Sequence, residues 1–351
     1  MPSRRSTCLL AALPFLAVSN QAVASVGDPV PQTMGQVVVR RVDYRGWPDS
    51  IVLGNGLVEA VIVPAVGRIM QFRLAGAPDG PFWENPEFAG QRLALDSNGW
   101  ANFGGDKAWP APQSDWAHFA GHLWPPPGGF DGLPTTAVID GPSVTLVSPV
   151  DPGFGICVRR RVELDPRRPV MTITTSFEKR AGPSSDIAVW AITQLNDPVE
   201  IHVLLPESSD PRAGYICLSD ETPPDLRREG TRLTLTRDPK AKHKIGARSG
   251  SLVWVGRQEV LRIDSSLVPA GKYPDKGSSA EVYTSSDPLA YVELEMLGPL
   301  VTLEAGHTIE RISTYTLAHR TEDDPAAEIK RLLAAPAEPA PATTHGAPPP
   351  Q

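Results

Sequence analysis

Apolar and polar residues alternate in short segments along most of the chain. The segment Val170–Phe177 keeps this period of two, with Met171, Ile173 and Phe177 separated by hydroxyl-bearing side chains. Because successive side chains of a strand point to opposite faces, this alternation predicts a β-strand. The same pattern predicts strands at Leu57–Val63, Arg68–Leu74, Ser143–Val147, Ile156–Leu164, Ile187–Leu195, Thr231–Thr236, Leu252–Val255, Val260–Ile263, Tyr291–Leu297 and Thr308–Leu317.

The composition of these segments favours an all-β fold. They are rich in Val, Ile and Thr, and Gly, Pro, Asp and Asn separate them. Many short strands with turn residues between them are typical of antiparallel sheets rather than of βαβ units. We therefore predict a large antiparallel β-sandwich of two sheets, which occupies residues 36–320.

Two regions depart from the alternating pattern. Residues 324–333 begin with Asp324 and Pro325, a capping residue followed by proline at the first helical position, and predict one short C-terminal helix. Residues 334–351 are rich in Pro and Ala and are expected to be disordered. Residues 75–135 hold much Gly, Pro and Trp with little periodicity, and a long loop of this kind in a compact domain is usually functional.

The first residues have the three parts of a cleavable secretory signal. Arg4 and Arg5 precede a short apolar run, and Ala22-Val23-Ala24 supplies small residues before Ser25. This arrangement predicts a signal peptide at residues 1–24, a linker at 25–35 and an exported protein, periplasmic or extracellular. A short N-terminal anchor is the alternative, although the apolar run is shorter than the ~20 residues that span a bilayer.

Charge and cysteine content narrow the function classes. The chain has 33 Lys+Arg against 40 Asp+Glu and a formal net charge of −7. An acidic chain without basic blocks argues against nucleic-acid binding, and no later segment is apolar enough for membrane insertion. Outside the signal, Cys157 and Cys217 could form a disulfide or remain two buried thiols, and the sequence leaves both possibilities open.

The first group of candidate functional residues lies in the Gly-, Pro- and Trp-rich region. Aromatic faces stack on the C–H faces of sugar rings, while short polar side chains bond to the hydroxyls. The candidate substrate-binding residues here are Asp106, Lys107, Trp109, Gln113 and Trp116. In the alternative interpretation, the tryptophans fill a core and Asp106 pairs with Lys107. His118 and His122 are four residues apart, a spacing that suits two metal ligands on a helix, but the glycines and prolines around them argue against a helix there. We therefore predict no metal and no cofactor.

The second group lies near the C-terminal strands. Tyr273 and Asp275 are candidate substrate-binding residues, and Glu293 and Glu295 are candidate catalytic residues. With a strand period of two, the two glutamates point to one face, and neighbouring carboxylates raise each other's pKa, which suits a general base. A solvated strand face is the alternative. We expect residues 104–116 and 273–295 to meet in space.

Three segments carry a family resemblance. The first contains Leu53-Gly54-Asn55-Gly56 and a glycine turn at Gly67, the second is Ala188–Leu195, and the third runs from Glu293 to the turn Leu303-Glu304-Ala305-Gly306-His307. Together they resemble the aldose 1-epimerase-related proteins of the galactose-mutarotase-like superfamily over residues 36–319. The segments GGDKAWPAPQ and YPDKGSSAEVY resemble a bacterial secreted family within that superfamily.

The resemblance implies a supersandwich fold, a carbohydrate ligand and a glutamate base at Glu293 or Glu295. Mutarotases pair such a base with a histidine acid that opens and recloses a sugar ring. Trp190, a further candidate for substrate binding, stands where that histidine is expected, and Phe103 stands at another histidine position. Tyr273, Asp275 or Lys107 could supply the acid instead.

Three functions remain after these observations. The first is an exported carbohydrate-binding or carbohydrate-modifying protein, which would act by epimerisation or by lyase-type proton abstraction. The second is a non-catalytic glycan-binding module, which the missing histidines favour. The third is a structural or protein-interaction β-sandwich, for which the Pro-rich tail is the sequence feature. The oligomeric state has no signature in the sequence.

Overall fold

A computed structural model describes residues 35–93, 99–207 and 214–334. The predicted signal peptide and almost all of the Pro/Ala-rich segment lie outside these residues. The strands of the described chain are β1 (Val38–Tyr44), β2 (Trp47–Gly54), β3 (Val58–Val63), β4 (Arg68–Leu74), β5 (Asp106–Ala111), β6 (Thr136–Asp140), β7 (Ser143–Val147), β8 (Ile156–Leu164), β9 (Val170–Lys179), β10 (Ser185–Asn196), β11 (Glu200–Leu204), β12 (Tyr215–Cys217), β13 (Arg227–Glu229), β14 (Arg232–Leu235), β15 (His243–Ala247), β16 (Ser251–Val255), β17 (Glu259–Asp264), β18 (Ala280–Thr284), β19 (Tyr291–Leu297), β20 (Val301–Leu303) and β21 (Thr308–His319).

The strands form two antiparallel sheets. The first sheet has 11 strands in the order β1-β2-β3-β4-β5-β10-β19-β18-β15-β12, with β20 pairing to β10 beside this path. The second has 10 strands in the order β13-β14-β11-β16-β17-β21-β9-β8-β7-β6. In the first sheet, β5 and β19 lie on either side of β10, so Lys107 and Glu293, 186 positions apart in sequence, are separated by a single strand.

The apolar core lies between the two sheets and confirms the predicted all-β sandwich. Alternate residues of β10, β18 and β19 point into it from the first sheet, and alternate residues of β16, β17 and β21 point into it from the second. Its members include Ala191, Leu195, Val282, Leu294, Met296, Leu252, Leu261, Ile263 and Leu317. Because the strands alternate, every second residue of β5, β10, β18 and β19 must point away from this core.

The long loop expected at residues 75–135 contains a central strand, so that expectation is wrong for residues 106–111. All six residues of β5 are buried, and the strand pairs with β10 along its whole length. On its other side it pairs with β4 only at Ile69 and Asp106, which leaves room for Pro110 in a strand. The loop also holds a short helix, α1 (Trp116–Phe119), which packs beside β5.

Two further helical segments lie near the C-terminal end of the described chain. In α2 (Pro274–Gly277), Asp275 and Lys276 adopt left-handed φ values of 46° and 62°, so this segment is a tight turn. The predicted C-terminal helix is present as α3 (Pro325–Ala334), and the Asp324 carboxylate accepts the N–H groups of Ala326 and Ala327.

The apolar side of α3 covers the side of the second sheet that points away from the core. Ile329 and Leu332 pack there against Val253, Val255 and Val260. No helix among the described residues is long and apolar enough to cross a membrane. Cys157 and Cys217 are both free thiols, and they belong to different sheets.

Candidate functional site

Asp106 and Lys107 point to opposite faces of the first sheet. Thr193 pairs with Asp106, and its hydroxyl donates to the Asp106 carboxylate on the core side at 2.5 Å. Lys107 pairs with Ile192 instead and points away from the core. We call this second side the outer face, defined by Lys107, Trp190, Gln194, Glu293, Glu295, Glu281 and Lys244, which the pairing of β5, β10, β19, β18 and β15 places together.

A buried ion pair joins the two candidate segments on the outer face. Lys107 Nζ lies 3.1 Å from Glu293 Oε1, and the Lys107 side chain is 1% exposed while that of Glu293 is 13% exposed. Burial lowers the pKa of Lys107 below its usual range, and the Glu293 carboxylate opposes this shift without cancelling it. Residues 104–116 and 273–295 therefore meet, and the Glu293 carboxylate is reachable from solvent.

Glu295 belongs to a separate and more enclosed cluster. Lys244 Nζ lies 2.7 Å from Glu281 Oε2 and 3.0 Å from Glu295 Oε2, and Trp190 Nε1 donates to Glu295 Oε2 at 2.6 Å. Burial raises the pKa of Glu295, and it raises that of Glu281 well above its usual range. The Lys244 ammonium opposes this shift at both carboxyl groups without cancelling it. This cluster holds Trp190 and Glu295 in place rather than offering an open base.

Tryptophan side chains form the side of the outer face nearest to β5. The rings of Trp109 and Trp190 meet edge to face at 5.4 Å, and Trp109 meets Trp124 at 5.9 Å. Trp100 and Trp109 both donate their indole N–H to Asp131 Oδ2, at 2.8 and 2.9 Å, which fixes their ring planes. Trp124 is 50% exposed and so presents an aromatic face to solvent at this place.

Further aromatic side chains lie on the other side of Glu293. Trp83 stacks on Tyr291 with ring centroids 4.6 Å apart, and Tyr283 lies 6.1 Å from Tyr291. Tyr283 is the cross-strand partner of Glu293. Burial raises the pKa of both tyrosines and the Glu293 charge raises it further, so both phenols remain protonated hydrogen-bond donors. Glu293 thus lies between two aromatic groups.

The paired glycines before β5 allow this arrangement. Gly105 has a φ of +72°, and a Cβ at this position would lie 2.6 Å from the Ile69 carbonyl oxygen. A Cβ at Gly104, with a φ of +95°, would lie 2.2 Å from the carbonyl oxygen of Trp83. Only glycine fits at either position, and the close approach brings Trp83 and Lys107 to the same face.

Asp106 is not part of the outer face, and its placement argues against the predicted substrate contact. Its carboxylate forms an ion pair with Arg160, accepts from Thr193, and accepts from the Tyr315 hydroxyl at 2.7 Å. Asp106 is fully buried between the sheets. The alternation along β5 places it there, because Lys107 and Trp109 point the other way.

The remaining predicted contact residues are not among the groups that define the outer face. Trp116 is fully buried and donates to the Pro110 carbonyl oxygen at 2.7 Å, a packing role. Gln113 donates to the carbonyl oxygen of Leu123, next to Trp124. The Tyr273 hydroxyl accepts from the Val268 N–H, and the Arg248 guanidinium lies over the Tyr273 ring. The charge of Asp275 contributes to the raised pKa of Glu281.

Three residues of the outer face were not selected from the sequence: Glu281, Lys244 and Gln194. Glu281 lies in the segment Ala280-Glu281-Val282-Tyr283, whose alternation places it on the face of Tyr283. That alternation was a usable signal for Glu281. The pairing of β15 with β18, which adds Lys244, has no equivalent signal in the sequence. Among the described residues, no group of three His, Cys, Asp or Glu side chains could hold a metal ion.

The two antiparallel sheets with a polar and aromatic outer face define a supersandwich, and solved structures of this class superpose on the chain. A galactose mutarotase-like protein from Lactobacillus casei gives a TM-score of 0.53 at 12% identity over 77% of this chain and 100% of that one. A galactose mutarotase related enzyme from Lactobacillus acidophilus gives 0.50 at 10% identity over 77% and 97%. The protein therefore has the galactose mutarotase-like fold. No protein-family model and no curated protein matches the sequence.

Proposed function

We propose that this protein binds a carbohydrate on the outer face of the first sheet and modifies it by acid–base chemistry. The observation that carries the proposal is the contact of Lys107 with Glu293, 3.1 Å apart, between tryptophan and tyrosine side chains. The aromatic rings suit the C–H face of a sugar, and the ion pair suits its hydroxyls. The fold shared with mutarotase-like proteins supports the same choice of ligand.

The chemistry assigns different roles to the two residues of the ion pair. Anomeric interconversion or epimerisation requires a base that removes a proton from the sugar and an acid that returns one. Glu293 is the base, because its carboxylate is reachable whereas that of Glu295 is enclosed. Lys107 is the proton source beside this base, because its Nζ lies 3.1 Å from Glu293 Oε1 and burial lowers its pKa, which makes its proton easier to release.

The test is Glu293→Gln, measured with a panel of free aldoses. Calorimetry reports binding, and NMR exchange between the two anomers or epimers reports turnover. Glutamine keeps the size of the side chain and loses its basicity, so turnover falls by about 10²–10⁴-fold while affinity changes little. Glu295→Gln is the matched control, and we expect it to affect stability more than the chemical step. Unchanged turnover in Glu293→Gln would remove Glu293 as the base.

A non-catalytic glycan-binding module is the second candidate function. The observation that favours it is Trp190, which occupies the expected histidine position and is fixed by its indole hydrogen bond to Glu295. Phe103, at the other expected histidine position, packs against Trp47 at 6.2 Å. Binding of an aldose with no turnover above the uncatalysed rate would select this function.

We also propose that the protein acts outside the cytoplasm. This proposal rests on the three-part signal in residues 1–24. Intact-mass analysis of the natural protein would show a mature chain that begins near Ser25. A soluble cytoplasmic chain that retains Met1 would contradict it.

A further inference from the structure

Gln194 has a buried amide in the centre of the outer face. The residue is 1% exposed, and neither its Nε2 nor its Oε1 has a hydrogen-bond partner within the described protein. A buried polar group left without a partner costs about 1–3 kcal/mol, and proteins contain few of them. The unused hydrogen-bonding capacity of Gln194 therefore calls for an explanation.

The strand pairing places this amide beside the proposed base. Gln194 is the cross-strand partner of Glu293, and such partners have Cβ atoms about 5 Å apart. On its other side the Gln194 N–H donates to the carbonyl oxygen of Gly105, which brings no side chain to the outer face. Lys107 lies two residues further along β5, on the same face. The amide therefore lies on the outer face directly across from Glu293, which is the more exposed member of the Lys107–Glu293 pair.

A second amide nearby has an unused acceptor. Asn102 is 7% exposed, and its Oδ1 has no hydrogen-bond partner within the described protein. An interaction with its side chain partly offsets the raised pKa of Tyr291, which precedes Glu293 by two residues on β19. Two amides with unused capacity therefore lie next to β19, Gln194 across from Glu293 and Asn102 near Tyr291.

We infer that Gln194 is a ligand-contact residue that binds a vicinal pair of hydroxyl groups, with Asn102 Oδ1 as an additional acceptor. A primary amide donates through nitrogen and accepts through oxygen, so one hydroxyl accepts from Nε2 while its neighbour donates to Oε1. The inference rests on the proposed carbohydrate binding and adds to it the residue that selects the configuration of the diol.

The first test compares Gln194→Leu with Gln71→Leu. Gln71 is an equally buried glutamine of the first sheet, but its amide donates to the Phe82 carbonyl oxygen and to Glu84 and accepts from the Phe82 N–H. Loss of a bonded amide destabilises, whereas loss of an unbonded one does not. We expect the melting temperature to fall by several degrees in Gln71→Leu and to remain unchanged or rise in Gln194→Leu. A fall of several degrees in Gln194→Leu as well would mean a structural role and would overturn the inference.

The second test is a thermodynamic cycle in which the Gln194 amide is removed from the protein and single hydroxyl groups are removed from the ligand. Calorimetry measures wild type and Gln194→Leu against the aldohexose that binds wild type most tightly and against its monodeoxy analogues. We expect Gln194→Leu to bind the parent sugar about three- to tenfold more weakly, and to bind one of the deoxy analogues as well as it binds the parent.

The wild-type measurements separate this inference from the proposed function. If wild type binds an aldohexose and Gln194→Leu binds the parent and every deoxy analogue with wild-type affinities, the inference fails and the proposed function stands. If wild type binds no sugar of the panel, the proposed function fails and the inference fails with it. Gln71→Leu is a control for stability only, because the Gln71 amide holds Phe82 and Glu84, which flank Trp83.

Discussion

Asp106 and Lys107 are adjacent in sequence, yet they occupy two different kinds of charged environment. On the core side, Asp106 satisfies its carboxylate with Arg160, Thr193 and Tyr315. On the outer face, Lys107 has one carboxylate partner, and the Gln194 amide in the adjacent strand has none. Complete pairing is what a buried charge needs for stability, whereas incomplete pairing leaves atoms available to a ligand. Under the proposed function, the core side of β5 is structural and the outer face binds the ligand.

The prediction with the largest expected effect concerns the charged network on the core side of β5. Asp106→Asn keeps the shape of the side chain but leaves the Arg160 charge buried without a counter-ion. Removing one partner of a buried pair costs about 3–5 kcal/mol, so urea unfolding should show a loss of that size. Arg160 is buried, and its guanidinium also donates to the Asp106 carbonyl oxygen, so it cannot move into solvent.

Glu163→Gln is the matched control for Asp106→Asn. Its partner Arg161 follows Arg160 in sequence, but the pair is exposed, with side chains 50% and 39% accessible. We expect a loss below about 1 kcal/mol. Equal effects of the two substitutions would show that the Asp106 network is not the structural element that the comparison requires.

The fold could be predicted from the sequence to a greater extent than the site. The predicted bounds of Arg68–Leu74, Ile156–Leu164 and Tyr291–Leu297 coincide with β4, β8 and β19. In β8 and β19, polar and apolar residues alternate in the sequence, and this alternation predicts a strand even though most residues of β19 are buried. Strand β5 was missed, because its segment contains tryptophan and proline instead of alternating polar and apolar residues. A segment without that alternation gives no period-two signal, even when all of its residues are buried in a strand.

The candidate site shows what periodicity alone cannot supply. Alternation placed Glu293 and Glu295 on one face, and the structure agrees. It could not separate their roles, because the partners that differ, Lys107 for one and Lys244 for the other, come from distant strands. Sequence reasoning also took Asp106 and Lys107 as one group, although strand geometry sends consecutive side chains to opposite faces.

The second prediction concerns pH and the enclosed part of the outer face. Because burial raises the pKa of Glu281 in the folded protein, the folded state binds more protons than the unfolded state above about pH 4.5. Stability contributed by this group is therefore lost as the pH rises from that value. Glu281→Gln removes the titration, so the variant gains stability relative to wild type as the pH rises, by about 1.4 kcal/mol per pKa unit removed.

Urea unfolding at pH 4.5, 6 and 8 measures this difference between wild type and Glu281→Gln. Glu229→Gln is the control, because the Glu229 side chain is 69% exposed, and its stability should follow the wild-type pH profile. If the profile of Glu281→Gln also follows wild type, Glu281 is not held protonated by its burial.

The smallest effect on stability is expected at the exposed edge of the outer face. Trp124 meets Trp100 at 4.8 Å and Trp109 at 5.9 Å, but half of its surface is already in contact with solvent. Trp124→Ala should therefore lower the free energy of unfolding by less than about 1 kcal/mol, whereas Trp116→Ala, at a fully buried ring, should lower it by about 3–5 kcal/mol.

If Trp124 stacks on a sugar, the aldose that binds wild type should bind Trp124→Ala about three- to tenfold more weakly, a loss that calorimetry can resolve. A Trp124→Ala protein that is severely destabilised, or that retains full sugar affinity, would place Trp124 with the structural residues and restrict the functional surface to the residues around Glu293.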